Sequence, residues 1–371
     1  MARIGVDARL TYYRRGGISQ YIEHLIHFFA TLDVENQYFI LQSRKDRRNL
    51  AATPNQHRVY CWTPAHNRFE RLALAVEVFP LWLDLLHSPD FIPPVGGRYR
   101  SVITVHDLTF LHYPAFLTPD SRRYYNDQIE AAVARADHII ADSEATRVDA
   151  INLLDVPPEK ITAILLAADE QFRPAPPEEI ARIRAIYHLP SEYLLFVGTF
   201  EPRKNLGGLL RAYALLCTRL ADAPPLIMAG QRGWLYDEVF DLIRQLKLSE
   251  RVSWVENVPY PDLPALYSGA GLLCLPSFYE GFGLPPLEAM ACGTPVVVSN
   301  RASLPEVVGD AGILIDPDDT ASIADALYRV LTDSALAADL RQRGLARAAL
   351  FTWQETARQT LAVYRRVLEQ I

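Results

Sequence analysis

Several features that mark other classes of protein are scarce in this sequence of 371 residues. Its four cysteines include no Cys-x-x-Cys pair, which argues against a disulfide framework or a zinc–thiolate site and favours a reducing compartment. No apolar run approaches the roughly 18 residues that a membrane-spanning helix needs. The N-terminal residues lack a basic stretch followed by an apolar one, so we expect no signal peptide. A cytoplasmic protein is therefore expected, and contact with the inner face of a membrane stays open.

Positive charge is also scarce, because 37 lysines and arginines face 44 aspartates and glutamates, for a formal net charge of −7. A chain with this balance has no general field that would hold nucleic acid, and no nucleic-acid partner is expected. Basic residues do cluster at Arg44–Arg48 and at Arg122–Arg123. Such clusters are usually solvated surface, and an anionic lipid or a phosphorylated acceptor is the alternative. We recognise no His-Glu-x-x-His motif or other cluster of metal ligands in the sequence, and we expect no metal and no cofactor.

Short runs of β-branched and aliphatic residues alternate with longer helical patterns in both halves of the chain. Apolar runs of this length between helices are typical of buried parallel strands, and repeated strand–helix units predict an α/β fold with doubly wound sheets. Ligands are then expected at the carboxyl ends of the strands. The predicted strands are Arg3–Asp7, Tyr38–Leu41, Leu85–Ser88, Val102–Val105, His138–Ala141, Thr162–Leu166, Tyr193–Gly198, Leu226–Ala229, Val252–Val255, Gly271–Leu275, Pro295–Ser299 and Gly312–Ile315.

The stretch Asp169–Glu179 divides the chain. It holds three prolines and several carboxylates without a periodic apolar pattern, which indicates a linker. The length of the chain also favours two domains rather than one. We therefore predict one domain at residues 1–170 and a second at 171–352. A last helix is predicted over residues 353–371, with Trp353, Leu361, Tyr364 and Val367 on its apolar face.

The strongest chemical signal is the segment Pro276–Pro295, which directly follows a predicted strand. Its glycines, Gly281 and Gly283, allow the backbone to approach a ligand closely, and Pro285 or Pro286 fits the first turn of a helix. The N–H groups of such a turn form an anion site suited to a diphosphate.

Two carboxylates flank this predicted turn. Glu280 lies in the loop before the helix, and Glu288 lies about one turn inside it. So placed, they can accept hydrogen bonds from the hydroxyls of two sugars, one on each side of the phosphates. The alternative is an acidic helix start that complements the helix dipole, but that explanation does not require the glycines.

This segment resembles the signature of family 4 of the retaining glycosyltransferases, in which a glutamate is followed, after seven residues, by a second. The resemblance implies a GT-B fold, with two Rossmann-like doubly wound parallel-sheet domains facing a central cleft. The N-terminal domain would bind the acceptor, the C-terminal domain the nucleotide sugar, and the last helix would pack back on the first domain. It implies that Glu280 binds the donor hexose and acts in catalysis, and that Glu288 binds the ribose. The backbone at Gly281, Phe282, Gly283 and Leu284 would contact sugar and diphosphate.

A second element, Gly198–Asn205, also follows a predicted strand. Arg203 and Lys204 precede a helix that Asn205 can cap, and two cations at a positive helix end suit a pyrophosphate leaving group; a basic surface pair is the alternative. The resemblance extends to this stretch, although many relatives carry an arginine directly after the glycine, where this chain has Thr199. Lys204 is therefore expected to act on the leaving group, with Arg203 replacing the missing cation.

Weaker signals complete the predicted site. Gly16 and Gly17 allow close approach after the first strand, and the resemblance implies contact with donor phosphates and acceptor; a simple tight turn is the alternative. His106 matches a family position that faces the donor sugar, and the resemblance implies that it acts in catalysis, although a lone histidine is more often structural. Val258 is expected to place backbone against the nucleotide base. Ser143 resembles a cleft position but is more often a helix cap. His87 and Ser88, at a strand end, are expected in the core or at its rim.

The resemblance as a whole implies a retaining hexosyltransferase. A mannose- or glucose-type sugar would pass from a GDP- or UDP-linked donor, such as GDP-mannose, to a hydroxyl of a glycan or lipid-linked acceptor in polysaccharide or glycolipid biosynthesis. No side chain is an obvious nucleophile, and the resemblance implies a front-face mechanism in which the leaving diphosphate helps to deprotonate the acceptor. The alternatives are a GT-B sugar-nucleotide epimerase or phosphorylase, and a sugar-nucleotide-binding protein without turnover.

Overall fold

A computed structural model describes residues 1–13, 16–67, 69–116, 119–233 and 237–369. The chain forms two compact units. Unit 1 comprises Met1–Leu166 and Thr352–Ile371, and unit 2 comprises Ala167–Phe351. Because the last segment belongs to unit 1, the chain leaves that unit once and returns to it. The expected boundaries, after residues 170 and 352, lie within a few residues of these crossings.

Unit 1 is built on a parallel sheet whose described strands number seven, in the order β3-β2-β1-β4-β5-β6-β7. This order reverses direction beside the first strand, as in a doubly wound fold. The strands are β1 Arg3–Asp7, β2 Gln37–Ser43, β3 Gln56–Cys61, β4 Leu85–Ser88, β5 Arg100–Val105, β6 His138–Ala141 and β7 Ile161–Ala163. The helices between them are α1 Leu10–Tyr13, α2 Gly17–Leu32, α3 Glu70–Val78, α4 Thr109–His112, α5 Pro119–Arg135 and α6 Glu144–Leu154.

Unit 2 repeats this arrangement, with six described parallel strands in the order β10-β9-β8-β11-β12-β13. The strands are β8 Leu194–Val197, β9 Leu226–Ala229, β10 Val252–Val255, β11 Leu272–Leu275, β12 Val296–Ser299 and β13 Ile313–Ile315. The helices are α7 Pro177–Tyr187, α8 Leu206–Arg219, α9 Asp237–Gln245, α10 Leu263–Ser268, α11 Leu284–Ala291, α12 Leu304–Val308, α13 Thr320–Thr332 and α14 Ser334–Ala348. Helix α15, Trp353–Leu368, follows in unit 1.

The apolar face predicted for the last helix is buried in unit 1. Trp353, Leu361, Tyr364 and Val367 are each at most 4% exposed. The phenol of Tyr364 forms a hydrogen bond with His87 Nδ1 at 2.6 Å, and the Thr356 hydroxyl donates to the carbonyl of Leu165 at 2.7 Å. Helix α15 therefore closes the core of unit 1.

Three local expectations need correction. Strand β3 was not predicted, because its residues are only partly buried and its one neighbour in the sheet is β2. The strand expected at Thr162–Leu166 is β7, Ile161–Ala163, since the chain leaves the sheet after Ala163. The end of the predicted linker is the first turn of α7, where Pro177 opens the helix and two glutamates complement its dipole. In the described part of the chain, no helix is both long and apolar enough to span a bilayer.

Candidate functional site

Two neighbouring strands of unit 2 bring the predicted donor-site residues together. Strands β8 and β11 are paired in the sheet, and the loops after their carboxyl ends carry Arg203, Lys204 and Glu280. The amide of Phe278 donates to the carbonyl of Arg203 at 2.8 Å, which ties the two loops to each other. Arg203 and Lys204 therefore meet Glu280, which is 77 and 76 positions away in the sequence, at the carboxyl ends of these strands. This is where a doubly wound fold is expected to bind its ligand.

Glu280 lies between two cations. Lys204 Nζ donates to Glu280 Oε1 at 2.6 Å, and Arg203 Nη1 donates to Oε2 at 2.6 Å. The hydroxyl of Ser277 donates to Oε1 at 2.7 Å, while the other side of the guanidinium lies 2.9 Å from Glu201. Two cations and two carboxylates thus balance each other, so a bound phosphate must share or take over these ion pairs.

The electrostatics of this cluster favour the ionised carboxylate. Burial raises the pKa of Glu280, but the charges of Arg203 and Lys204 outweigh burial and lower that pKa to about 2. The pKa of Lys204 is lowered by burial and by Arg203, and Glu280 opposes that shift. Because Glu280 is a permanent anion at neutral pH, it accepts hydrogen bonds and is unsuited to deliver a proton.

The backbone that follows Glu280 has a shape that requires glycine. Gly283 has φ of 106° and precedes α11, and a Cβ built there would lie 2.7 Å from the side chain of Leu304. The hydroxyl of Ser303 lies 2.8 Å from the carbonyl oxygen of Glu280 and 2.7 Å from that of Phe282, which holds the loop in place. Gly281 and Phe282 are buried within this loop.

The start of α11 corrects one expectation about the anion site. The helix begins at Leu284, so Pro285 and Pro286 occupy its second and third positions. Proline has no N–H, and the amide of Leu287 already donates to the carbonyl of Gly283. Of the first three residues of the helix, only Leu284 therefore offers an amide to an anion.

Glu288 lies one turn into α11 and is buried. Its Oε2 accepts a hydrogen bond from the phenol of Tyr267 at 2.7 Å. Burial, with a smaller contribution from Asp169, raises the pKa of Glu288 to about 7. A carboxyl that titrates near neutrality on a buried helix is costly for stability, which points to a role in binding. The sequence indicated the position but not this pKa.

In unit 1, both ring nitrogens of His106 form hydrogen bonds. Nδ1 lies 2.6 Å from Asp142 Oδ2, and Nε2 lies 2.6 Å from the carbonyl oxygen of Pro89. Since both partners are acceptors, both nitrogens carry protons. Burial lowers the pKa of His106, but Asp142 outweighs it and raises the pKa to about 9. His106 is therefore a cation at neutral pH, and its partner is Asp142 rather than the adjacent Asp107.

A small recess lies at the carboxyl ends of β1 and β4 in unit 1. Arg9 is 1% exposed and donates to Asp7 and to Glu70, each at 2.6 Å. On the same recess, His66 Nε2 lies 2.6 Å from Asp90 Oδ2. The predictions missed Glu70, His66 and Asp90, because they are far from Asp7 in the sequence and belong to no recognisable motif.

The other residues predicted from the sequence lie at helix starts, in one loop of unit 2 and in the core of unit 1. Gly16 caps α2 with extended backbone, Gly17 is the first residue of that helix, and a Cβ on Gly16 would meet nothing within 4 Å. Val258 is half-buried in the loop after β10. Ser143 caps α6 by accepting from the amide of Thr146 at 3.1 Å. His87 and Ser88 are buried in the core.

Two further sequence features concern metals and basic clusters. Among the described residues, no group of three or more His, Cys, Asp or Glu side chains is placed to hold a metal ion. The one Asp-x-Asp spacing of the second half, Asp316 and Asp318, binds Arg301 on the surface of unit 2. The side chains of Arg122 and Arg123 lie outside the described part of the chain.

The two units match two halves of one class of enzyme. Residues 15–172 match the family described as Glycosyltransferase Family 4, and residues 180–347 match Glycosyl transferases group 1. The O-antigen chain mannosyltransferase B of Escherichia coli is 38% identical over 282 residues, which span 76% of this chain and 74% of that protein.

Solved structures agree on the fold. Sucrose-phosphate synthase from Thermosynechococcus elongatus matches with a TM-score of 0.80 and 22% identity over 100% of both chains. Anabaena HepE in complex with UDP-glucose matches with a TM-score of 0.74 and 18% identity, over 98% of this chain and 100% of that one. The protein is thus a glycosyltransferase with the GT-B fold. It belongs to family 4 of the glycosyltransferases.

Proposed function

We propose that this protein is a retaining hexosyltransferase, which moves a mannose- or glucose-type sugar from a nucleoside-diphosphate sugar to an acceptor hydroxyl in polysaccharide biosynthesis. The observation that carries the proposal is the buried cluster of Lys204, Arg203 and Glu280 at the loop that opens α11, with Glu288 one turn inside that helix. The similarity to an O-antigen mannosyltransferase favours mannose and a glycan or lipid-linked glycan acceptor. The UDP-glucose complex of HepE supports a nucleotide-sugar donor.

The donor would lie along the start of α11. The ionised form of Glu288 would accept hydrogen bonds from the ribose hydroxyls, and Glu280 would accept them from the hexose. Between the two, the diphosphate would meet Lys204, Arg203 and the amide of Leu284. Since each cation already has a carboxylate partner at 2.6 Å, its position is set before the donor arrives.

Transfer would follow from charge placed on the leaving group. As the bond between the anomeric carbon and the phosphate oxygen breaks, negative charge moves onto the diphosphate, and Lys204 and Arg203 stabilise it more strongly than in the ground state. The acceptor hydroxyl then attacks from the same face and gives its proton to the leaving phosphate, which retains the anomeric configuration. His106 cannot act as a base at neutral pH, because both of its ring nitrogens carry protons and donate hydrogen bonds to Asp142 and to the carbonyl of Pro89.

Acceptor binding belongs to unit 1 in this proposal. The recess beside Asp7 and Asp90 offers carboxylate oxygens, which are suitable acceptors for sugar hydroxyls. Arg9 holds Asp7 in one orientation through a bidentate ion pair, so the acceptor would meet a prearranged group.

A panel of nucleotide sugars tests the proposal directly. GDP-mannose, GDP-glucose, UDP-glucose and their epimers are offered with mannose-terminated oligosaccharides, and the product's anomeric configuration is read by NMR. We expect transfer from one donor with retained configuration. An inverted product would overturn the retaining mechanism. Epimerised donor, phosphorolysis, or tight donor binding without turnover would instead identify an epimerase, a phosphorylase or a binding protein.

A further inference from the structure

Helix α3 of unit 1 has apolar side chains on its solvent face as well as on its core face. Leu74 and Val78 face the core, in a cluster with Leu83 and Leu86. On the opposite side, Leu72 and Val76 lie one helical turn apart, and the exposed apolar side chains continue past the end of the helix with Phe79 and Trp82. Their exposed fractions are Leu72, 61%; Val76, 75%; Phe79, 74%; and Trp82, 68%. A helix with apolar side chains on two opposite faces is normally covered on both of them.

The exposed apolar side chains continue onto the end of β3. Glu77 of α3 accepts hydrogen bonds from the amides of Trp62 and Thr63 at 2.7 and 2.8 Å. This contact holds Trp62, which is 71% exposed, beside the helix. The apolar surface formed by Trp62, Leu72, Val76, Phe79 and Trp82 is hereafter called the α3 surface.

The backbone of Trp82 has a strained conformation, and its indole ring is exposed to solvent. Trp82 has φ of 48° and ψ of 49°, a left-handed conformation that is unfavourable for a bulky residue. Its ring lies 6.3 Å from that of Phe79, next to solvent. Such strain persists where a structure requires a residue in one place, and here it presents an indole at the surface.

Positive charge lies at the edge of the α3 surface. The guanidinium of Arg44 stacks on the ring of Trp62, 3.9 Å from its centroid. Lys45 and Arg47 follow and are exposed, whereas Asp46 between them is buried and paired with Arg48. In a chain with a net charge of −7, this edge is locally positive.

We propose that the α3 surface docks onto an anionic phospholipid bilayer, with its apolar side chains in the interface and its basic residues among the headgroups. Tryptophans, aliphatic side chains and flanking arginines form the combination that interfacial binding uses. A second copy of the chain fits less well, because a two-fold contact would bring Arg44, Lys45 and Arg47 towards their own counterparts. The proposal goes beyond sugar transfer and does not depend on the donor.

Sedimentation with lipid vesicles tests this surface. The full chain is mixed with vesicles of phosphatidylcholine alone or of phosphatidylcholine with phosphatidylglycerol, and we expect binding to the anionic vesicles that weakens as salt increases. The double variant Val76→Glu/Phe79→Glu should lose binding by about tenfold or more. Replacing both Arg44 and Arg47 by glutamine should weaken binding by about fivefold per charge.

Matched variants separate docking from folding. Leu350→Glu changes an equally exposed leucine in unit 2 and should leave vesicle binding unchanged. Trp82→Asn, which suits the left-handed backbone, should keep or raise the melting temperature while it weakens vesicle binding. All variants should transfer sugar to a soluble acceptor at the wild-type rate, so failure here is distinguishable from failure of the proposed function.

Two outcomes would overturn the proposal. One is vesicle binding that the α3 variants leave unchanged, or no binding to anionic vesicles at all. The other is self-association of the wild type in light scattering that Val76→Glu/Phe79→Glu abolishes, without any binding to vesicles. That second result would assign the α3 surface to a second copy of the chain.

Discussion

At the scale of single residues, Lys204 is the group whose removal is most informative about the chemistry. Its Nζ is 2.6 Å from Glu280, and its proposed partner in the reaction is the departing phosphate. Lys204→Ala should therefore lower kcat by about 100-fold, on the order of 3 kcal/mol, with a smaller change in KM. Arg219→Ala, which removes a surface ion pair of the same unit, is the control. An unchanged kcat would remove Lys204 from the mechanism.

Glu288 should make nucleotide binding depend on pH. Only its ionised form can accept hydrogen bonds from both ribose hydroxyls, and its pKa is raised to about 7. The affinity for GDP or UDP should therefore increase as the pH rises through neutrality, as measured by calorimetry. In Glu288→Gln the affinity should be lower and this increase absent. A pH profile that survives the substitution would place the titrating group elsewhere.

The same raised pKa has a consequence for stability with a definite sign. Between its ordinary pKa and about 7, the folded protein keeps a proton that the unfolded chain has released, so stability falls as the pH rises through this window. Glu288→Gln should therefore raise the melting temperature above neutral pH, by an amount equivalent to about 3 kcal/mol, and should have little effect in mild acid. Equal melting curves for both proteins at high pH would show that the folded state leaves this carboxyl unperturbed.

At the scale of elements, we expect opposite effects from alanine substitutions at the two glycines that precede helices, Gly16 before α2 and Gly283 before α11. A Cβ on Gly16 would meet nothing, on extended backbone that any residue adopts, whereas a Cβ on Gly283 would clash with Leu304 at positive φ. Gly16→Ala should keep the melting temperature and lower kcat/KM, because only a ligand needs that space. Gly283→Ala should lower the melting temperature, by roughly 1–3 kcal/mol of stability. Full activity of Gly16→Ala would make that glycine a simple turn.

At the scale of the whole molecule, the proposed reaction needs no metal ion. The positive charge for the diphosphate would come from Arg203 and Lys204 in unit 2. We therefore expect binding of GDP or UDP, and sugar transfer, to persist after chelation with EDTA and to gain little from added magnesium. Loss of transfer on chelation, with recovery on adding magnesium back, would contradict this prediction.

The donor-side residues were predicted from contiguous motifs, and their roles in binding and transfer stay predictions. Glu280 and Glu288 are separated by seven residues and belong to one loop and the helix it opens, so their relation is local and can be predicted from the sequence. The strands that are buried on both faces were predicted as apolar runs for the same reason, and the half-exposed edge strand β3 was missed. Residues such as Glu70 and Asp90 carry no motif, and only the sheet order brings them to Asp7.

By itself, the sequence determined the α/β class, the two parallel sheets and the family, because apolar periodicity and a contiguous motif are properties of neighbours along the chain. Only the tertiary structure decided how those residues behave. Whether Glu280 is paired with two cations, Glu288 titrates near neutrality or His106 is charged depends on burial and on groups that the sheets bring together. Likewise, only packing reveals that the apolar residues of α3 include a face left in solvent, since composition does not record which side of a helix the core covers.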